Sequence, residues 1–219
     1  MNTITQQELD ALCLNGRAID MQGGYPCVVL HPDGTITKIW AIKKRLISSN
    51  TLSSYSQRFV NNAAKLKKRA VTVPEILSHA AVKGTHIKIV TYRSLPGKSI
   101  RDLLEDTPDQ VNVHSLCQYI HTLHEKGIFF RSIHLGNIIQ LPSGDYGLID
   151  FTDVAYAARP LPLTRRAANL AFPLRYRDDI QRMEDVGLPN IRDTYLDILQ
   201  PNTVEKTRFI HTLNHYMKR

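Results

Sequence analysis

The sequence predicts an α+β chain in two parts, a strand-rich first region followed by a helical region that carries one hairpin. Three patterns carry this expectation. Cys27–Leu30 and Thr35–Trp40 are short apolar or alternating runs either side of His31-Pro-Asp-Gly34, which has Pro and Gly where a reversal needs them. Val113–His124 places Leu116, Ile120, Leu123 and His124 at intervals of four, three and one, the spacing of an amphipathic helix that Gly127 stops. Ile138–Leu141 and Tyr146–Ile149 flank Pro142-Ser-Gly-Asp145, a second hairpin pattern.

The remaining elements follow in order. Residues 5–14 suit a short helix with Leu9, Leu12 and Cys13 on one face, and Arg17–Met21 suits a strand joined onward through Gln22-Gly23-Gly24. From Ser54 to Arg69 the period becomes helical, with Phe59, Val60, Ala63, Ala64 and Leu66 as the apolar set, until Thr72-Val73-Pro74 ends it. Strands are expected at Ile76–Ala80 and His86–Tyr92, and Leu95-Pro96-Gly97 breaks the chain. Helices are expected at about 164–180, 190–199 and 203–217. The boundaries are a strand-rich lobe over 1–91, a hinge at 92–98 and a helical lobe over 99–219.

Composition narrows the function classes. The 42% hydrophobic and 22% charged content is ordinary for a soluble globular protein. Three cysteines, Cys13, Cys27 and Cys117, have no paired spacing, which argues against a disulfide framework or zinc module and for a reducing compartment. Glu8 and Asp10 stand where a secretory leader would carry basic and then apolar residues, and no run approaches a membrane span, so a cytoplasmic protein is expected. The net charge of +8 favours acidic partners without choosing among them. Lys65, Lys67, Lys68 and Arg69 read first as a solvated helix face. A nucleic-acid partner is not expected: no zinc finger or glycine loop is recognisable, and the aromatics are not interleaved with the basic runs.

The informative stretch is Phe130-Arg-Ser-Ile-His-Leu-Gly-Asn137, the hairpin, and then Leu148-Ile-Asp-Phe-Thr-Asp153. A hairpin between Asn137 and Asp150 folds its two ends together. Amide and carboxylate oxygens from those ends suit a hard divalent cation whose other positions are filled by phosphate oxygens. Gly136 permits tight backbone geometry beside Asn137. Asp150 as an ordinary hairpin-end carboxylate and Asn137 as a turn cap are the competing readings.

This order of residues resembles the protein-kinase-like superfamily, where a metal-binding Asn in the catalytic loop precedes a short hairpin and a metal-binding Asp followed by Phe. It is similar to the atypical bacterial branch of lipopolysaccharide-core (heptose and Kdo) kinases and toluene-tolerance proteins, whose His-x-Gly-Asn loop is like His134-Leu-Gly-Asn137. The resemblance spans roughly residues 25–180 and implies a two-lobed kinase-like fold with a small N-lobe and a reduced helical C-lobe. It implies ATP and magnesium as cofactors, with Asn137 and Asp150 as metal ligands. It also gives Lys38 as the strand lysine on the phosphates, ahead of its competitors Lys43 and Lys44. By the same resemblance Gly23 and Gly24 would stand at the phosphate-covering turn, and Tyr92 would border the adenine. Arg165 and Arg166 look like that branch's arginine-rich helix and would bind an anionic acceptor.

Two departures stand out. Five residues before Asn137 is Ser132, where the family places the catalytic Asp, and a serine carries no charge to orient or deprotonate a hydroxyl. The helix over 54–69 contains no Glu or Asp to pair with the strand lysine. His134 and Asp153 are the candidate substitutes for the missing base, although His134 reads first as a structural hydrogen-bonding residue. The expected function is therefore phosphorylation of a hydroxyl on a lipopolysaccharide-core sugar or related glycolipid at the inner face of the cytoplasmic membrane. The alternative is a pseudokinase-like module that binds a nucleotide or a partner without transfer.

Overall fold

Local signals fix where many elements start. In the computed structural model, which describes residues 1–41 and 54–218, a short strand β1 (Asn2–Ile4) leads into helix α1 (Gln6–Leu14). The Thr5 hydroxyl accepts from Glu8 N–H and the Glu8 carboxylate accepts from Thr5 N–H, a capping box that satisfies two otherwise orphaned donors. Strands β2 (Arg17–Gln22), β3 (Tyr25–Leu30) and β4 (Thr35–Trp40) follow as a meander. Gly23 and Gly24, at φ +59° and +83°, form the two-residue turn between β2 and β3, as a tight hairpin requires. Lys43 and Lys44 lie outside the described residues. Helix α2 (Tyr55–Lys67) is capped by Ser54, and strands β5 (Glu75–Val82) and β6 (Lys88–Arg93) close the region.

These strands form one sheet in the order β1-β5-β6-β4-β3-β2, antiparallel except for β1 beside β5. One face buries Leu9, Val29, Ile39, Ala80, Val82 and Ile89 with Ile4, Leu12 and Cys13 of β1 and α1. On the other face Phe59 of α2 meets Trp40 and Tyr92, with ring centroids 5.8 and 5.5 Å away. The His79 ring meets the Ser56 hydroxyl of α2 at 3.1 Å. The chain divides into two compact units, Met1–Leu95 and Pro96–Arg219.

The second unit opens with strand β7 (Lys98–Ser99) and helix α3 (Ile100–Asp106), then helix α4 (Val113–Glu125) and strand β8 (Ile128–Phe130). The expected hairpin is present as β9 (Ile138–Gln140) and β10 (Tyr146–Leu148), with Leu148 opposite Ile138, and β7 adds to its edge. Strand β11 (Val154–Tyr156) returns to pair with β8. Four helices complete the unit: α5 (Leu163–Leu174), α6 (Arg177–Asp185), α7 (Ile191–Leu199) and α8 (Thr203–Met217).

The single helix expected over 164–180 is two. Pro173 supplies no N–H to the ladder, and the backbone leaves helical geometry at Tyr176 (ψ 86°) before α6 begins. Strands β1, β7, β8 and β11, each of two or three residues, carry too little sequence to show a period. Nonlocal pairing creates them.

Candidate active site

The loop between β8 and β9 is held by its own residues. Ile128, Phe129 and Phe130 are all buried, so β8 anchors the loop's start in the core. After Phe130 the pairing with β11 extends one step, as Arg131 N–H donates to the Asp153 carbonyl at 3.1 Å. Across the loop, the Asn137 side-chain Nδ2 donates to the Ser132 carbonyl at 2.9 Å. That bond turns the amide's donor end toward the loop backbone, so Oδ1 points the other way.

The hairpin then brings its ends together as expected from sequence. Ile149 N–H donates to the Asn137 carbonyl at 3.0 Å, continuing the ladder one residue beyond the Leu148–Ile138 pair. Asn137 and Asp150 therefore leave neighbouring chain ends. Asp150 has φ +51°, a left-handed conformation that costs an L-residue about 1–2 kcal/mol, although Asp tolerates it better than most. Strain at a carboxylate beside a buried amide is the kind of feature that marks a functional position. An amide oxygen and a carboxylate are hard donors, and they fit magnesium as protein ligands that leave room for water and phosphate. Among the described residues there is no cluster of three or more His, Cys, Asp or Glu side chains able to hold a metal by themselves.

His134 sits at the centre of a group that sequence spacing does not reveal. Its ring lies 4.7 Å from the Tyr176 ring, and its Nδ1 is buried with no hydrogen-bond partner among the described residues. Burial and the nearby Arg101 guanidinium lower its pKa, against the opposing pull of the Asp179 and Asp150 carboxylates. Arg101 forms a two-pronged pair with Asp179, Nε–Oδ1 at 2.7 Å and Nη2–Oδ2 at 2.8 Å, and Asp179 is only 2% exposed. A Cβ on Gly136 would stand 2.9 Å from Arg101 Nη1, so glycine is what lets the guanidinium lie against the loop. Arg101 and Asp179 are 78 residues apart, and the local sequence of neither signals the other.

A buried polar network supports the loop from behind. His124 is fully buried, its Nδ1 2.6 Å from the Tyr195 hydroxyl and its Nε2 3.1 Å from Asn169 Oδ1. Asn169 in turn donates from Nδ2 to the Phe130 carbonyl at 2.8 Å, fixing the residue before the loop. Burial away from water penalises the charged ring and pushes the His124 pKa down to about 3.

The other expected residues divide between the two units. In the first, Lys38 lies on the α2-facing side of β4, its Nζ 5.7 Å from the Trp40 ring and 6.0 Å from the Phe59 ring. Tyr92 lies on β6, buried against Phe59. Gly23 and Gly24 form the β2–β3 turn. In the second, Asp153 is exposed, its carboxylate 3.6 Å from Arg131. Arg165 is exposed, with its guanidinium 4.3 Å from the Phe129 ring. Arg166 is buried; its Nε donates to the Leu161 carbonyl at 2.6 Å and its Nη1 pairs with Glu125 at 2.6 Å.

Comparison with known proteins adds the fold. Solved structures of the bifunctional kinase-methyltransferase WbdD match at 17% identity over 87% of this chain and 41% of theirs, with a TM-score of 0.51. A higher-resolution structure of WbdD matches at 16% identity over 90% of this chain and 44% of that one, with a TM-score of 0.52. WbdD crystallised with the kinase inhibitor LY294002 matches at 16% identity, over 87% and 42% of the two chains, with a TM-score of 0.51. The likeness is one of fold. An α+β chain, strand-rich first and helical second, is consistent with a two-lobed kinase-like architecture. The chain spans about two-fifths of the length of these solved chains. No family model and no curated protein matches it. No described helix is long and apolar enough to cross a membrane.

Proposed function

We propose that this chain is an ATP- and magnesium-dependent phosphotransferase acting on a hydroxyl, with residues 92–98 as the hinge between its lobes. The observation that carries the reading is Asp150, held left-handed at one end of a hairpin whose other end is Asn137 with its amide oriented by Ser132. Asn137 and Asp150 would hold magnesium, which neutralises charge on the phosphates it bridges. Lys38 would contact the phosphates, the turn at Gly23-Gly24 would cover them, and Tyr92 would border the base. His134, neutral at physiological pH because its pKa is lowered, is the group on the loop able to accept a proton, with Asp153 as its competitor. The acceptor fits an anionic sugar of a lipopolysaccharide core or related glycolipid, a reading that rests on the resemblance of the loop and on the chain's positive charge. Arg165 is the member of the arginine pair available to such an acceptor, because the Arg166 guanidinium is engaged within the fold.

A second reading has its own support. Ser132 stands where a catalytic carboxylate is expected, and α2 brings aromatic and amide side chains but no carboxylate to the sheet face that bears Lys38. Both features suit a nucleotide-binding pseudokinase.

The test has two stages. Magnesium-ATP at about 100 times Kd should stabilise the wild type by about 2.7 kcal/mol in a thermal-shift series, and Asp150→Asn should lose the magnesium-dependent part. No shift at saturating nucleotide defeats both readings. Transfer of radiolabelled phosphate, or basal ATP hydrolysis, then separates them. Activity in wild type or Ser132→Asp that Asp150→Asn removes establishes the enzyme. Nucleotide binding without transfer in either leaves the pseudokinase.

A further inference from the structure

Beside the loop, α3 and the break between α5 and α6 enclose an open pocket of about 440 Å³, lined by Arg101, Glu105, Arg175, Tyr176, Arg177 and Asp179 together with Asp178 and Arg182. Its volume is within the range of small-molecule sites. Most of its charges are already matched. Arg101 is paired with Asp179, and Arg182 with Glu105. Arg175 is different: its Nε and Nη2 both donate to the Tyr216 carbonyl, a neutral acceptor, so two of its donors are used there while its charge is not cancelled. Among the described residues, Arg177, the first residue of α6, is exposed and makes no ion pair, and Asp178 is the carboxylate of the lining that no guanidinium holds. Two cationic side chains against one carboxylate leave a net positive charge at the positive end of a helix, which favours an anion such as a phosphate.

Tyr176 makes the site more than a basic patch. The residue is 43% exposed, yet its ring lies 4.7 Å from the His134 ring and 5.1 Å from the Arg101 guanidinium. One residue thus lines the pocket and packs against the loop that carries Ser132, His134 and Asn137. We propose that this pocket binds a phosphorylated sugar, with the phosphate on Arg175 and Arg177 and the sugar ring on Tyr176. On the phosphotransferase reading, from which it takes its purpose, the pocket is the acceptor subsite, because a sugar on Tyr176 stands one ring away from the loop.

Binding is tested without nucleotide. Glucose 6-phosphate, glucose and inorganic phosphate are titrated separately and followed by calorimetry or by amide shifts of the labelled protein. Glucose 6-phosphate should bind more tightly than either of the other two. Arg177→Ala should weaken it about tenfold, the size of a lost charge-assisted hydrogen bond, and Arg177→Lys should restore part of the loss. Tyr176→Leu should weaken glucose 6-phosphate while leaving inorganic phosphate unchanged. No binding of glucose 6-phosphate, equal affinity for inorganic phosphate, or an unchanged affinity in Arg177→Ala overturns the proposal. The magnesium-ATP thermal shift of both variants should match wild type, and an equal loss there would place these residues in the nucleotide site instead. A wild type that binds glucose 6-phosphate but not magnesium-ATP would defeat the phosphotransferase and leave the pocket standing.

Discussion

Two histidines ten residues apart in the second unit live under opposite rules. His124 is enclosed, and both its ring nitrogens meet partners, the Tyr195 hydroxyl and the Asn169 amide oxygen. His134 is half-buried, with an orphaned Nδ1, beside a left-handed Asp150 and an exposed Tyr176. The first neighbourhood is closed: each polar group has its partner, and the network ties α4, α5, α7 and β8 into one support. The second is open, holding an imidazole nitrogen with no hydrogen-bond partner among the described residues and an aspartate in a left-handed backbone conformation. The contrast separates support from site on energetic grounds. A group whose removal unfolds the protein belongs to the frame, and a group whose removal costs little stability is held for a ligand.

The largest expected effect comes from breaking the closed network. Asn169→Ala strands one buried nitrogen of His124 and takes one of two donors from the Phe130 carbonyl, which keeps Ile133 N–H, and His124→Ala strands Tyr195 and opens a cavity. Each should destabilise by about 3–5 kcal/mol, read as a fall in urea midpoint at constant slope. His134→Ala, which strands no hydrogen-bond partner of its ring, should cost well under half as much. Comparable losses at the two histidines would erase the distinction.

A gentler probe is pH. The His124 pKa is about 3 in the folded state against an ordinary value of 6.5, so below pH 6.5 the unfolded chain binds a proton that the folded chain refuses. Stability from this group is therefore complete above about pH 6.5 and is lost as pH falls toward 3, by about 1.4 kcal/mol per unit. A non-titrating His124→Gln variant should lose that slope, measured as the wild-type minus variant difference in unfolding free energy from pH 7 to 4. His134, whose pKa is lowered in the same direction but is opposed by two carboxylates, should contribute a shallower slope of the same sign.

How much of this was legible depended on the range of the interactions. Thr35–Trp40 could be read directly, because alternation next to a Pro-Gly turn fixes both the strand and its register. Asn137, Asp150 and the hairpin between them were legible as well, since closure over 13 residues is local. β1 was not, because Asn2-Thr3-Ile4 has no period of its own and becomes a strand only by lying parallel to β5. Arg166 read with Arg165 as a basic pair that would bind an anionic acceptor and is buried, because its partners Glu125 and Leu161 come from outside its helix. The same holds for the Arg101–Asp179 pair and for the pocket that Tyr176 shares with the loop. Sequence spacing showed the residues that chemistry places next to one another. It missed those that the packing of α3 and α6 brings to them.

The smallest effect gives the sharpest version of the contrast, because it compares two instances of the same strain. Ala70 and Asp150 have nearly the same left-handed backbone, φ +50° and +51°. Ala70 closes α2: Val71 N–H reaches back to the Leu66 carbonyl and Ala70 N–H to that of Lys67, a helix ending at which glycine is ordinarily preferred. Ala70→Gly should therefore stabilise by about 1 kcal/mol, as relief of the left-handed penalty outweighs the extra freedom of the unfolded chain, and leave magnesium-ATP binding unchanged. At Asp150 an aspartate already tolerates the conformation, so Asp150→Gly should gain less, about 0.5 kcal/mol or under. It should still abolish the magnesium-dependent part of the thermal shift. A variant at least as stable as wild type that no longer responds to magnesium-ATP would mean the fold has no need of that carboxylate, and that its strain is held for the ion. A clear loss of stability in Asp150→Gly, with the response to magnesium-ATP intact, would return Asp150 to the role of an ordinary hairpin-end aspartate.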